Sequence, residues 1–354
     1  MKNLKVYLNA GVPVLVWGPP GVGKTASVMA LAKQLGLPIE VIIASIREPS
    51  DFLGLPVHDS SSRSTRFDPP SWAVRLAQAG RGILFIDEIN TAPPAVQAAL
   101  LRVVLERAVG ELQLPDGVKM IAAANPPELS AGGWELSPPL ANRFAHIRWE
   151  LNPAEWVAEF PSYWGNPPQI NVPEPVWAQA RTLIAAFIRV RPELLLQVPQ
   201  HPQQLSQAWP SPRSWDNASR MLACILQEGQ PPYEALDFII SCVGEGAAIE
   251  FATWIRDIDL PDPETILSDP DKTPIPHRSD QVYAVLIALA TRATDTEARW
   301  HAAWRYIIRC AETHGYDVAA IAARNLARAR QPNWQPPVEV RAFLPVLKEA
   351  RLIQ

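Results

Sequence analysis

The chain is 354 residues long, with 48% hydrophobic residues, 19% charged residues and 37 prolines. That length buries a full α/β core with room for a second domain, and the composition excludes both a disordered polymer and a collagen-like fibre. A formal net charge of −4 argues against a protein whose main work is coating nucleic acid, although a local basic channel can sit inside an acidic total.

Short apolar runs alternate with helical patterns over residues 1–150. Val12–Trp17 reads as a buried strand, followed by a glycine-rich loop and a helix from Lys24 to Leu35. Further strands are expected at Ile39–Ala44, Ile83–Asp87, Lys119–Ala124 and Ala145–Trp149, with a helix from Pro93-Pro94 to Arg107. Continuous apolar strands between helices imply a parallel sheet covered on both faces.

Beyond Leu151 the character changes. Pro161 to Pro175 contains five prolines and reads as a linker, and a second punctuated stretch runs from Leu260 to Pro276. Helices are expected at Trp177–Val190, Ser214–Gln227, Tyr233–Cys242, Ala247–Asp257, Gln281–Ala293, Glu297–His314, Val318–Ala329 and Val338–Ala350. Nine of the thirteen tryptophans fall in this second part, which points to packed helices rather than a loose tail.

Cys224, Cys242 and Cys310 have no CxxC spacing and sit in apolar helical contexts, so buried free thiols are expected. His58, His146, His201, His277, His301 and His314 are scattered without zinc-ligand spacing. No run of about 18 apolar residues and no signal-peptide pattern occur, so a cytoplasmic protein without a membrane partner is expected. Arg324, Arg328 and Arg330 read as a solvated helix face.

Chemistry concentrates at two motifs. Gly18-Pro19-Pro20-Gly21-Val22-Gly23-Lys24-Thr25, followed by Ala26, fits G-x-x-x-x-G-K-[ST] between a strand and a helix. Backbone N–H groups of such a loop turn inward around phosphate oxygens, Lys24 would neutralise the β- and γ-phosphates, and Thr25 would hold Mg²⁺. Ile83-Leu-Phe-Ile-Asp-Glu88 ends an apolar strand in two carboxylates. Asp87 is expected on the metal through water, and Glu88 on the attacking water as its base.

GPPGVGKT at 18–25, FIDEIN at 85–90, AAANP at 122–126 and LANRF at 140–144, in this order, resemble an AAA+ ATPase core. Pro126 after Asn125, together with Ser211-Pro-Arg213, narrows the resemblance to the MoxR and dynein-related branch, over about residues 10–228. The resemblance implies a five-stranded parallel sheet in an ATPase core at 1–150, a helical lid at 151–228 and a helical extension at 229–354. It implies ATP and Mg²⁺, with Asn125 as the sensor of the γ-phosphate or lytic water. Asn125 could equally cap the turn before Pro126-Pro127.

The same resemblance makes Arg143 an arginine finger reaching a neighbouring subunit's nucleotide, and Arg213 the lid arginine that reports the γ-phosphate. An ordinary salt bridge for Arg143 and a surface position for Arg213 are the plainer alternatives. Arg107 is a candidate second trans-acting residue. A finger supplied in trans implies a ring, most simply a hexamer, that remodels a client protein, often beside a partner with a von Willebrand factor A domain. Two alternatives stay open: a nucleic-acid-linked motor, and a nucleotide switch with negligible hydrolysis. The segments Ser50–Leu55 with the polar loop to Thr65, and Val109–Gly117 as a hairpin, fit insertions of this branch. Phe52, Leu53 and Leu55 could there grip a client or simply pack locally.

Overall fold

A computed structural model describes residues 2–60, 63–129, 134–162, 170–257 and 260–345. The chain divides into two units, Met1–Leu151 and Asn152–Gln354.

In the first unit, α1 (Lys2–Ala10) precedes β1 (Val14–Trp17), α2 (Lys24–Leu35) and β2 (Ile39–Ile43). A short α3 (Ser50–Leu53) leads into the ribbon of β3 (Leu55–Asp59) and β4 (Ser64–Asp68), then α4 (Ser71–Ala79) and β5 (Arg81–Asp87). Next come α5 (Pro94–Glu106), a tight hairpin of β6 (Ala108–Val109) and β7 (Leu112–Gln113), β8 (Gly117–Ala124), α6 (Pro138–Ala141) and β9 (Ala145–Arg148).

Five strands form one parallel sheet in the order β2-β5-β8-β1-β9. Strand alternation divides the apolar side chains between its faces. Val14, Val16, Phe85 and Ile121 pack with Val28 and Leu31 of α2 on one face, whereas Leu15, Leu84, Ile86 and Ala122 pack with Leu100 and Val103 of α5 on the other. The sequence expectation of a covered parallel sheet is thus met, with β5 and β8 two residues longer at their starts. Pairing of Trp17 with Ala124, and of Ile86 with Ala122, brings the ends of β1, β5 and β8 to one edge of the sheet. This carboxyl edge is where parallel α/β sheets place ligands.

The 109–117 hairpin forms at Ala108–Gln113. It abuts the β3–β4 ribbon so closely that a Cβ on Gly110 would lie 2.6 Å from the Phe67 carbonyl oxygen, and Gly110 also has φ +60°. Phe52 is fully buried and Leu53 packs against the same core, so local packing uses both; Leu55 alone of the three is exposed.

The second unit is helical: α7 (Pro153–Glu159), α8 (Glu174–Val190), α9 (Pro202–Leu205), α10 (Pro212–Gln227), α11 (Leu236–Val243), α12 (Glu245–Arg256), α13 (Pro263–Ser268), α14 (Ser279–Arg292), α15 (Glu297–His314) and α16 (Tyr316–Arg328). Aromatic residues form its core. Phe187 meets Trp215, Phe251 and Trp254 at ring separations of 5.3–5.7 Å, and Trp300 meets Trp304 and Trp334 at 5.7–5.9 Å. Sequence reading missed α7, α9 and α13, each opened by a proline that serves as the first helical residue rather than a breaker. The helix expected from Val338 begins as a tight 3₁₀ segment, Val338–Phe343, and residues 346–350 lie outside the described residues.

The expectation for the thiols is corrected: Cys310 is buried, Cys242 half-buried and Cys224 exposed. Arg324 also departs from a solvated face, since it is half-buried and donates to the Ala158 carbonyl at 3.1 Å. Among the described residues no helix is long and apolar enough to cross a membrane.

Candidate active site

The loop after β1 turns through Gly21 (φ +78°) and Gly23 (φ +90°), conformations that only glycine adopts freely. Gly23 caps α2, so Lys24, Thr25 and Ala26 form its first turn and the loop's N–H groups lie at a helix N-terminus. Val22 is buried and pins the loop, and Gly18 is fixed from β8 by a 3.2 Å hydrogen bond to the Ala124 carbonyl. Pro19 and Pro20 are half-buried and stiffen its entry.

Lys24 is 7% exposed. Its ammonium donates to the carbonyls of Gly18 (2.6 Å) and Pro19 (3.0 Å) and to Asn125 Oδ1 (2.9 Å). A buried cation is satisfied here by three oxygens, one of them from the residue that ends β8. Thr25 Oγ1 donates to Asp87 Oδ2 at 2.6 Å, joining the start of α2 to the end of β5. These are hard oxygen donors on a short tether, the chemistry that suits Mg²⁺ shared with phosphate oxygens. Among the described residues no group of three or more His, Cys, Asp or Glu could hold a metal ion.

The two carboxylates diverge, as strand geometry requires. Asp87 Oδ1 accepts from the Glu88 backbone N–H at 3.0 Å, and Glu88 takes φ +54°, a left-handed conformation uncommon for a residue with a Cβ. That twist carries the Glu88 carboxylate to Ser45, whose hydroxyl donates to Oε2 at 2.5 Å. Asn90 is 4% exposed and grips the Asn125 backbone from both sides: Nδ2 donates to its carbonyl at 2.9 Å, and Oδ1 accepts from its N–H at 3.2 Å. Sequence reading missed both Ser45 and Asn90. The asparagine was visible in the FIDEIN segment, but nothing in the sequence marked the serine.

The structure therefore brings together Gly18–Thr25, Asp87, Glu88 and Asn125. Arg143 lies in the turn after α6, exposed, and its guanidinium makes no ion pair or hydrogen bond among the described residues. Arg213, in the second unit, stands exposed in the first turn of α10, where Ser211 and Ser214 form a reciprocal cap. Arg107 is engaged within its own chain instead, donating to the carbonyls of Pro115 (2.6 Å) and Val118 (2.7 Å). Its guanidinium is thus occupied within its own chain.

A glycine loop at a helix N-terminus, a buried lysine and a Thr–Asp pair at the carboxyl edge of a five-stranded parallel sheet define a P-loop nucleoside-triphosphatase fold of the AAA+ type. Residues 13–146 match the family described as ATPase family associated with various cellular activities (AAA).

The chain is 33% identical over 108 residues to the Holliday junction branch migration complex subunit RuvB of Anaeromyxobacter sp. (strain Fw109-5), covering 28% of this chain and 26% of that protein. It is 31% identical over 91 residues to the protein of the same name from Mycoplasma pneumoniae, covering 25% and 24%. The chain thus matches about a quarter of the length of these curated relatives. Among solved structures, a Thermotoga maritima RuvB mutant aligns at 17% identity over 77% of this chain and 75% of that one, with a TM-score of 0.38. NtrX from Brucella abortus aligns at 16% identity over 66% and 52%, with a TM-score of 0.37.

Proposed function

We propose that the chain hydrolyses ATP with Mg²⁺ as a ring-forming, MoxR-like AAA+ ATPase and couples turnover to remodelling of a client protein. The observation that carries this reading is the convergence of Lys24, Thr25, Asp87, Glu88 and Asn125 at one sheet edge.

In this reading the loop N–H groups of Gly18–Ala26 cradle the β- and γ-phosphates, and Lys24 exchanges its carbonyl partners for phosphate oxygens. Thr25 and Asp87 are the residues that would hold Mg²⁺, which supplies charge neutralisation across the phosphates. Glu88 takes the proton of the attacking water, a role worth about 10²–10⁴-fold in rate. Asn125, held by Asn90, orients that water or the γ-phosphate. Arg143 of an adjoining copy would stabilise charge on the transferring group, a contribution of about 10³-fold or more. Its exposure and lack of a partner within the described residues support that assignment. Arg213 would report the same phosphate from the lid, and hydrolysis would relax the lid and the subunit interface.

The test is turnover of the full chain with and without Mg²⁺, paired with Glu88→Gln. That variant should bind ATP with parental affinity and lose turnover by about 10²-fold or more; hydrolysis at the parental rate refutes the assignment. Capture of proteins by the ATP-bound variant then identifies the client, including any with a von Willebrand factor A domain. A second reading is favoured by the relatives' name: a motor acting on branched DNA. A four-way DNA junction that stimulates ATP turnover, where no captured protein does, would select it. A nucleotide switch would show binding without measurable turnover.

A further inference from the structure

The imidazole of His146 spans the gap between the root of the phosphate loop and the turn that presents Arg143. It stands on β9, the strand beside β1, in register with Leu15. Its ring stacks on Trp17, the residue immediately before Gly18, with centroids 6.1 Å apart and planes 26° from parallel. Trp17 Nε1 lies 3.0 Å from His146 Nδ1, and His146 Nε2 lies 2.8 Å from the Ala141 carbonyl oxygen.

These two contacts fix the tautomer. Indole nitrogen can only donate, so Nδ1 must accept, and the ring proton then sits on Nε2 and is donated to Ala141. Ala141 is the last residue of α6, two before Arg143. The backbone around Arg143 is also short and anchored: Arg143 N–H donates to the Leu140 carbonyl at 3.1 Å, Phe144 N–H donates to Ala141 at 3.2 Å, and both Leu140 and Phe144 are buried. At the other end, Trp149 N–H donates to the Trp17 carbonyl at 2.7 Å, and a Cβ on Gly18 would come within 3.0 Å of Trp149 Cβ. The strand that follows Arg143 is therefore locked to the first residue of the phosphate cradle.

We propose that His146 is a positioning residue that ties a subunit's own phosphate loop to the arginine it offers its neighbour, through the relay Trp17–His146–Ala141. A shift of Gly18 on loading or release of triphosphate moves Trp17, and the neutral imidazole carries that movement to the Arg143 turn. This inference rests on the reading of Arg143 as a trans-acting residue.

The test uses the full chain in ATP turnover and in equilibrium binding of a fluorescent ATP analogue. His146→Ala should keep analogue affinity within about twofold and lower kcat by about tenfold, while Trp17→Phe should lower it about fivefold, the scale of one net hydrogen bond. Glutamine offers both an acceptor and a donor, so His146→Gln should restore kcat to within about twofold. A glutamine variant as impaired as the alanine one, or an alanine variant with parental kcat, overturns the relay. If His146→Ala no longer binds the analogue, Trp17→Phe and ¹⁵N NMR of labelled histidine decide: an Nδ1–H tautomer at His146 overturns the proposal. Arg143→Ala separates the two readings. Parental turnover there removes the arginine assignment itself, whereas loss of turnover there beside a fully active His146→Ala removes only the relay.

Discussion

The Asn90 carboxamide closes both faces of the Asn125 peptide, accepting from its N–H and donating to its carbonyl across 35 residues of sequence. A side chain that bonds both backbone groups fixes the direction in which Asn125 leaves β8. It therefore fixes the distance between Asn125 Oδ1 and the Lys24 ammonium. Asn90→Ala removes both hydrogen bonds, a cost of about 1–3 kcal/mol. Turnover should fall by about tenfold or more while the KM for ATP changes little, because the phosphate cradle is untouched. Steady-state kinetics beside a denaturant melt separates the two effects; a variant that loses stability but keeps kcat would leave Asn90 with a structural role only.

Arg143 should behave as a shared group. If each active centre is completed by the adjoining copy, mixing Arg143→Ala chains into parental protein should depress activity by more than the fraction added. Titrating the ratio at constant total concentration reads this directly. A straight-line decline would mean that each copy works alone.

Thiol chemistry should sort by burial. Burial pushes the Cys310 thiol up to about 12 despite the neighbouring Arg309 and Tyr306, and burial likewise raises Cys242. Cys224 is exposed on α10. A maleimide reagent at neutral pH should modify Cys224 first and Cys310 about 100-fold more slowly, since the thiolate is the reacting form. Peptide mapping over time checks the order.

Asp280 gives the second unit an acid-sensitive brace. Burial works against its ionised form, yet hydrogen bonds from Arg278 and from Trp254 Nε1 (2.9 Å) outweigh burial and hold the carboxyl below its ordinary value. A carboxyl held lower in the fold than in the unfolded chain stabilises fully above its ordinary value of about 4, and that stabilisation is lost as pH falls through the lower folded value. Asp280→Asn should cost about 1–2 kcal/mol at neutral pH, reduced by the exposure of Arg278. The gap from the parent should shrink below about pH 4. Urea melts at several pH values measure this; a gap independent of pH would assign the loss to packing.

What the sequence made legible was whatever the chain writes locally. Lys24–Leu35 and Glu297–His314 run as helices between the ends expected, and Gly18–Thr25, Asp87 and Asn125 meet because strand, turn and helix follow one another in a fixed order. The missed contacts span long separations: Ser45 with Glu88 across 43 residues, and Trp17 with His146 across 129. No periodicity marks a serine as the partner of a distant carboxylate, because that meeting depends on which strands lie side by side. The cysteines misled for another reason. Apolar neighbours in sequence lie around the whole circumference of a helix, so Cys224 points to solvent from a helix whose opposite side is buried.

The β3–β4 ribbon and the β6–β7 hairpin meet where Gly110 leaves no room even for a methyl group beside the Phe67 carbonyl. Two peptide surfaces in such contact cannot slide past one another without collision, so the ribbon is braced near its base like an outrigger. Its strands of five residues reach about 17 Å. A load on the free end arrives as leverage at that brace, and through the short β6–β7 hairpin it bears on the end of α5.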